Sequence, residues 1–202
     1  MTAPSYTFPT DFIWGAATAA HQIEGNNVSS DWWAREHSPN TDLSEASNDA
    51  CDSYNRYEED IRLLAASGLR MYRFSIEWAR IEPECGCFSK AQLLHYRRMI
   101  DTCRQYGVEP MVTLYHMTLP LWFAEQGGWR RADAVERFRR YVEYVLPILH
   151  DVTWVCTLNE PNMVALTRGG TEGSDFIAAS LPYPDPEISE NLVAAHRSAR
   201  EV

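Results

Sequence analysis

No apolar run in this sequence approaches the length of about twenty residues that a membrane-spanning helix needs. The stretch Met1 to Thr10 has no basic segment followed by an apolar one, so it does not read as a secretory leader. Basic residues are in the minority, 18 against 28 acidic for a net charge of -10, and the acidic side chains are spread along the chain. A surface of that sign repels phosphate backbones and anionic lipid, which argues against nucleic acid and membrane partners. A disulfide framework is also missing: Cys51, Cys85, Cys87, Cys103 and Cys156 are odd in number and lack scaffold spacing, as expected in a reducing compartment. These absences predict a cytoplasmic protein. Cys85-Gly86-Cys87 has no second Cys or His pair at ligand spacing nearby, so it reads as a short turn rather than a metal site.

What is present is a chain of 202 residues, 45% hydrophobic, long enough to bury a core and read here as a single domain over 1–202. Four strand-like apolar runs stand out: Phe12 to Thr18, Leu69 to Ile76, Pro110 to His116 and Val152 to Leu158. Each is followed by a loop and a segment of helical period. Asn48 to Ser67 carries Tyr54, Tyr57, Ile61 and Leu64 on one face and stops at Gly68. Ser89 with Gln92 forms a capping box before the face Leu93, Tyr96, Ile100, Cys103, which stops at Gly107. A third helix holds Val135, Phe138, Val142 and Val145, and a last one spans Ser189 to Val202.

The order β-α-β-α-β-α-β-α with near-continuous apolar strands predicts a parallel sheet covered by helices. Eight such units would need roughly twice this length, so the pattern reads as half of a larger domain. A flavodoxin-like four-stranded sheet is the alternative. Against it, the turn after the first strand is His21-Gln22-Ile23-Glu24-Gly25, not a glycine-rich phosphate loop.

The C-terminal ends of parallel strands are where α/β proteins collect their chemistry. There this chain places Gln22, Arg73, Glu77, His116, Asn159 and Glu160, among Trp14, Trp32, Trp33, Trp78 and Trp122. Amides, imidazole and carboxylates bond hydroxyls while indole faces cover C–H surfaces, so the composition suits an uncharged, polyhydroxylated ligand such as a sugar. Trp33 and Trp122 are candidates for the cleft wall, Glu77 reads as a wall residue, Trp14 as barrel core and Trp154 as strand packing.

Four blocks carry a family resemblance. Phe8-Pro9-Thr10-Asp11-Phe12-Ile13-Trp14-Gly15-Ala16-Ala17-Thr18-Ala19-Ala20-His21-Gln22-Ile23-Glu24-Gly25 closely resembles the N-terminal signature of family 1 glycoside hydrolases. So do Tyr72-Arg73-Phe74-Ser75-Ile76-Glu77-Trp78-Ala79-Arg80-Ile81, Leu114-Tyr115-His116 with Leu119-Pro120, and Thr157-Leu158-Asn159-Glu160-Pro161.

The resemblance implies that the chain supplies roughly the first four β/α units of a (β/α)8 TIM barrel, a half-barrel. It implies hydrolysis of a β-linked glucoside or oligosaccharide with retention of configuration, two carboxyl groups about 5 Å apart acting as acid/base and nucleophile. On that reading Glu160 is the acid/base, Gln22, His116 and Asn159 hold sugar hydroxyls, and Arg73 orients the nucleophile. No metal or organic cofactor is implied.

Two departures stand out. The family's nucleophile lies in a Glu-Asn-Gly motif that these 202 residues do not contain, and Met117 stands where many relatives carry tryptophan after the histidine. Four units alone would leave two strand edges open, from which a complementary half-barrel or self-association is expected as a partner.

Overall fold

A computed structural model of the chain describes residues 7–169 and 184–202; the sequence reading of Met1 to Tyr6 lies outside them. Four strands, β1 Gly15–Ala17, β2 Met71–Ser75, β3 Glu109–Tyr115 and β4 Trp154–Leu158, form one sheet in the order β1-β2-β3-β4. All three pairings are parallel. The fold class expected from the sequence is observed: successive strands are neighbours, as in a segment of a barrel wall.

Helices connect the strands on one side. In chain order they are α1 Ala20–Ile23, α2 Asp31–Glu36, α3 Ser53–Ala66, α4 Trp78–Ile81, α5 Lys90–Gln105, α6 Leu121–Glu125, α7 Ala134–Val145, α8 Pro161–Gly169 and α9 Pro186–Ala199. Helix α3 starts later than its periodicity suggests because Asn48, Ala50 and Asp52 all take positive φ. At α5 only half of the capping box forms. Ser89 accepts the Gln92 amide, while the Gln92 side chain accepts Tyr54 Oη at 3.0 Å and the Ser89 amide bonds Ile81 O. Helix α9 starts earlier than expected, because Asp185 accepts the Ile188 amide at 2.9 Å and Pro186 occupies the first helical position.

The core lies between the helices and one face of the sheet. Tyr72, Phe74, Val112 and Leu114 meet Ile61, Tyr96, Ile100, Phe138 and Val142, all buried. Above them Trp78, Trp129, Phe123, Phe138 and Tyr141 pack ring against ring, and Tyr141 Oη donates to Leu114 O and Ile76 O at the ends of β3 and β2. That bonding satisfies a buried hydroxyl and locks the two strand ends together.

The opposite face is thinly covered. Ala17, Arg73, Met111 and Trp154 share one register row across the four strands, and Trp154 is 51% exposed at its end. Among the described residues Trp154 is therefore only partly packed. Trp14, read as core, is 53% exposed and clusters with Phe8 and Phe12 beside β1. Among the described residues no helix is long and apolar enough to cross a membrane.

Candidate active site

The end of β4 carries the central feature. The Asn159 amide donates to Tyr115 O at 2.9 Å, continuing the ladder one residue past the strand, and the Asn159 side chain is buried. Its Oδ1 accepts Arg73 Nη2 at 2.7 Å, so a β2 side chain reaches across β3 to the tip of β4. The next residue, Glu160, has φ of 46° and an exposed side chain, and its carbonyl accepts the Val164 amide at the start of α8. A non-glycine residue in the left-handed region stores on the order of 1 kcal/mol or more of strain, and such positions gather at active sites.

The end of β3 is strained in the same way. Met117 has φ of 70° and the Thr118 amide bonds His116 O at 2.9 Å, which makes a three-residue γ-turn of the rare positive-φ kind. Tyr115 Oη holds Met117 O, and Thr118 Oγ1 donates to the buried carboxylate of Glu77 at 2.7 Å. Glu77 also accepts the Ala79 amide, so it ties the β2 and β3 ends together, and burial pushes its carboxyl upward.

His116 precedes this turn. Burial, helped by the charge of Arg73, pushes its imidazole down to about 4, so the ring is neutral near pH 7. Its Nδ1 and Arg73 Nε are buried and have no hydrogen-bond partner among the described residues. A buried polar atom without a partner is unusual, and two at one site make a surface ready to bond a polar ligand.

Gln22 is exposed on α1, a single turn fixed from below by Ser75 Oγ, which accepts the Ala20 amide at 2.8 Å. From the side, buried Glu24 binds Arg80 Nε at 2.8 Å and accepts Tyr96 Oη at 3.1 Å, while Arg80 also reaches Gly25 O. Burial pushes the Glu24 carboxyl up to about 7, with Arg80 offsetting only part of the cost. Sequence reasoning missed the supporting role of Glu24, Arg80 and Tyr96. The available signals were a carboxylate beside a glycine and an arginine inside an apolar stretch.

The tryptophans are held in separate places. Trp33 stacks on His37 at 4.1 Å, and Trp122 packs against Phe123 with Nε1 on Glu82 O at 2.8 Å. Trp32, with Asp31, Met117, Leu119 and Trp129, lines a pocket of about 300 Å³ to which neither Trp33 nor Trp122 contributes. Met117, the departure from the tryptophan of many relatives, thus helps form that wall.

The family model described as Glycosyl hydrolase family 1 matches residues 4–196, nearly the whole chain. The chain belongs to glycosyl hydrolase family 1. Beta-glucosidase A of Acetivibrio thermocellus is 38% identical over 96% of this chain and 45% of its own length. Among solved structures, the beta-glycosidase BGL167 superposes with a TM-score of 0.83 at 42% identity, covering 96% of this chain and 52% of that one. A beta-glucosidase from Thermotoga maritima in complex with glucoimidazole superposes at 0.83 with 35% identity, over 96% of this chain and 46% of that one. The chain spans about half the length of the curated relatives it matches. These neighbours agree with a half-barrel: one continuous parallel wall carrying family 1 residues at its C-terminal rim.

Proposed function

We propose that this family 1 chain supplies the acid/base side of a retaining β-glucosidase-like site. Glu160 protonates the glycosidic oxygen as the bond to the anomeric carbon breaks, then takes a proton from the water that releases the sugar. Gln22, His116 and Asn159 hold the sugar hydroxyls, and Arg73 orients the nucleophilic carboxylate that the family's Glu-Asn-Gly motif provides. A neutral His116 suits this role because it can donate at one ring nitrogen and accept at the other. Trp33 and Trp122 stand as candidate walls beyond the sugar. The substrate class is a β-linked glucoside or oligosaccharide.

The observation that carries this reading is the Arg73–Asn159 contact, with strained Glu160 next in the chain at the C-terminal rim of a parallel sheet. The test is release of nitrophenol from a panel of β-linked aryl glycosides by the chain, alone and mixed with the nucleophile-bearing half of a family 1 relative, beside a Glu160→Gln variant. Turnover that disappears in the variant supports the assignment. Turnover that survives it removes Glu160 from the chemistry.

A second reading is favoured by the lack of Glu-Asn-Gly in these residues and by the exposed Trp14, Trp154 and Val155 at the two sheet edges. On it the chain is catalytically silent and binds sugar, or pairs with a complementary half-barrel or a second copy, through those edges. Saturable sugar binding without turnover, or a sedimentation mass above the monomer, distinguishes it.

A further inference from the structure

The sequence reading of Cys85-Gly86-Cys87 as a turn is correct in geometry, and its two thiols have surroundings that the glycosidase chemistry does not use. The Cys87 amide bonds Glu84 O at 2.9 Å and Gly86 has φ of 80°, so Glu84 to Cys87 is a four-residue turn with thiols at its second and fourth positions. The turn hangs from Glu82, a fully buried carboxylate that accepts Trp78 Nε1 at 2.9 Å and the Gly86 amide at 2.8 Å and pairs with Arg140. The anchor is rigid while the tip is in solvent. Both cysteines are free and exposed.

Cys85 faces positive charge. Arg137 of α7 touches its sulfur through Nη1 at 2.6 Å. Arg137 shares the carboxylate of Asp133 with Arg131, so two guanidiniums are balanced by one aspartate beside the thiol. Glu84, adjacent in the chain, is the acidic residue of the turn itself. Arg137 can hold and orient the Cys85 sulfur, and an exposed thiol with a second thiol two residues on in the same turn is an arrangement that peroxide can convert to a disulfide. The remaining cysteines differ. Cys103 is buried, and burial pushes its thiol up to about 12, while Cys156 is half-buried and bonds Leu158 O. Cys51 is exposed and serves as an internal standard.

We propose that Cys85 and Cys87 form a redox-active dithiol that a hydroperoxide oxidises to a reversible local disulfide. The Cys85 thiolate attacks the peroxide, an S–O bond forms as the O–O bond breaks, and the departing hydroxide of hydrogen peroxide, or alkoxide of an organic hydroperoxide, takes up a proton to become water or an alcohol. The Cys87 thiolate then attacks the Cys85 sulfur, the S–S bond forms as the S–O bond breaks, and the departing hydroxide takes up a proton to leave as water. Two electrons pass from the sulfur pair to the peroxide, and a thiol reductant reverses the step. Because the Glu82 carbonyl also holds Trp122 Nε1, the turn is linked to a candidate wall of the cleft.

The experiment is treatment of the reduced chain with a slight excess of hydrogen peroxide, followed by alkylation and peptide mass mapping. The expected result is that the peptide holding Cys85 and Cys87 loses two hydrogen masses and resists alkylation until reduced, before Cys51 is modified. A Cys87→Ser variant should instead yield a dimedone-trappable sulfenic acid at Cys85. Arg137→Gln should slow oxidation of Cys85 several-fold while leaving Cys51 unchanged, and that Cys51 rate also reports that the fold is intact. Equal oxidation of Cys51 and Cys85 in the unaltered chain, or sulfenic acid with no internal link when Cys87 is present, would overturn the proposal.

Discussion

Arg73 and Asn159, 86 residues apart in sequence, are joined by a 2.7 Å hydrogen bond that spans the width of β3. The bond brings the second and fourth strand ends into one site and holds the amide that precedes Glu160. A hydrogen bond to a charged group contributes on the order of 1.5 to 3 kcal/mol, and residues in contact couple in double-mutant cycles. Denaturant unfolding of Arg73→Met, Asn159→Ala and the double variant should therefore show a coupling of about 1 to 3 kcal/mol. Simple additivity would mean that the pair does not hold the site together.

Glu24 should make stability depend on pH in an unusual direction. Its carboxyl is raised from 4.5 to about 7, so the folded chain holds a proton that the unfolded chain releases. Its contribution is complete below about 4.5 and is lost as pH rises through about 7, amounting to at most roughly 3 kcal/mol. A Glu24→Gln variant should flatten that part of the stability curve. An unchanged slope in thermal melts across the same range would contradict the assignment.

His116 acts with the opposite sign. Its imidazole falls from 6.5 to about 4, so on acidification the unfolded chain gains this proton first and stability is lost as pH falls from 6.5 towards 4. Buried His95, also held at about 4, adds to the same loss. Proton NMR should find the His116 ring neutral at pH 6, and His116→Asn should remove part of the acid sensitivity. A His116 ring that titrates near 6.5 would refute the burial argument.

Two glycines separate backbone strain from steric exclusion. A Cβ at Gly25, where φ is 79°, would meet Asp49 O at 2.2 Å, whereas one at Gly86, where φ is 80°, meets nothing within 4 Å. Gly86→Ala should cost about 1 to 2 kcal/mol, the ordinary left-handed penalty. Gly25→Ala should cost on the order of 3 kcal/mol or more, because the turn that carries Gln22 must move. Equal losses in chemical denaturation would show that the loop at Asp49 yields freely.

Much of this architecture was legible as local pattern. The apolar runs, the helical faces, and the stops at Gly68 and Gly107 put four strands and their helices in order, because periodicity and turn chemistry act over a few residues. Ends were less legible: α3 begins late because Asn48, Ala50 and Asp52 adopt positive φ, and the pairing starts only at Trp14, whose carbonyl accepts the Arg70 amide, because Phe12 turns back onto Pro9 and gathers with Phe8.

The sequence by itself determined the family, the parallel βα order, and which residues crowd the strand ends, since these follow from motifs and from the fact that parallel strands share one C-terminal rim. Only the tertiary structure decided which of them touch. The bond between Arg73 and Asn159, the burial that holds His116 neutral and raises Glu24, and the place of Trp32 in a pocket wall depend on register and packing between distant segments. Solvent exposure is likewise a property of the assembled sheet. Trp14 and Trp154 look like core residues in sequence, yet among the described residues they are 53% and 51% exposed, Trp154 on the register row of Arg73 and Met111.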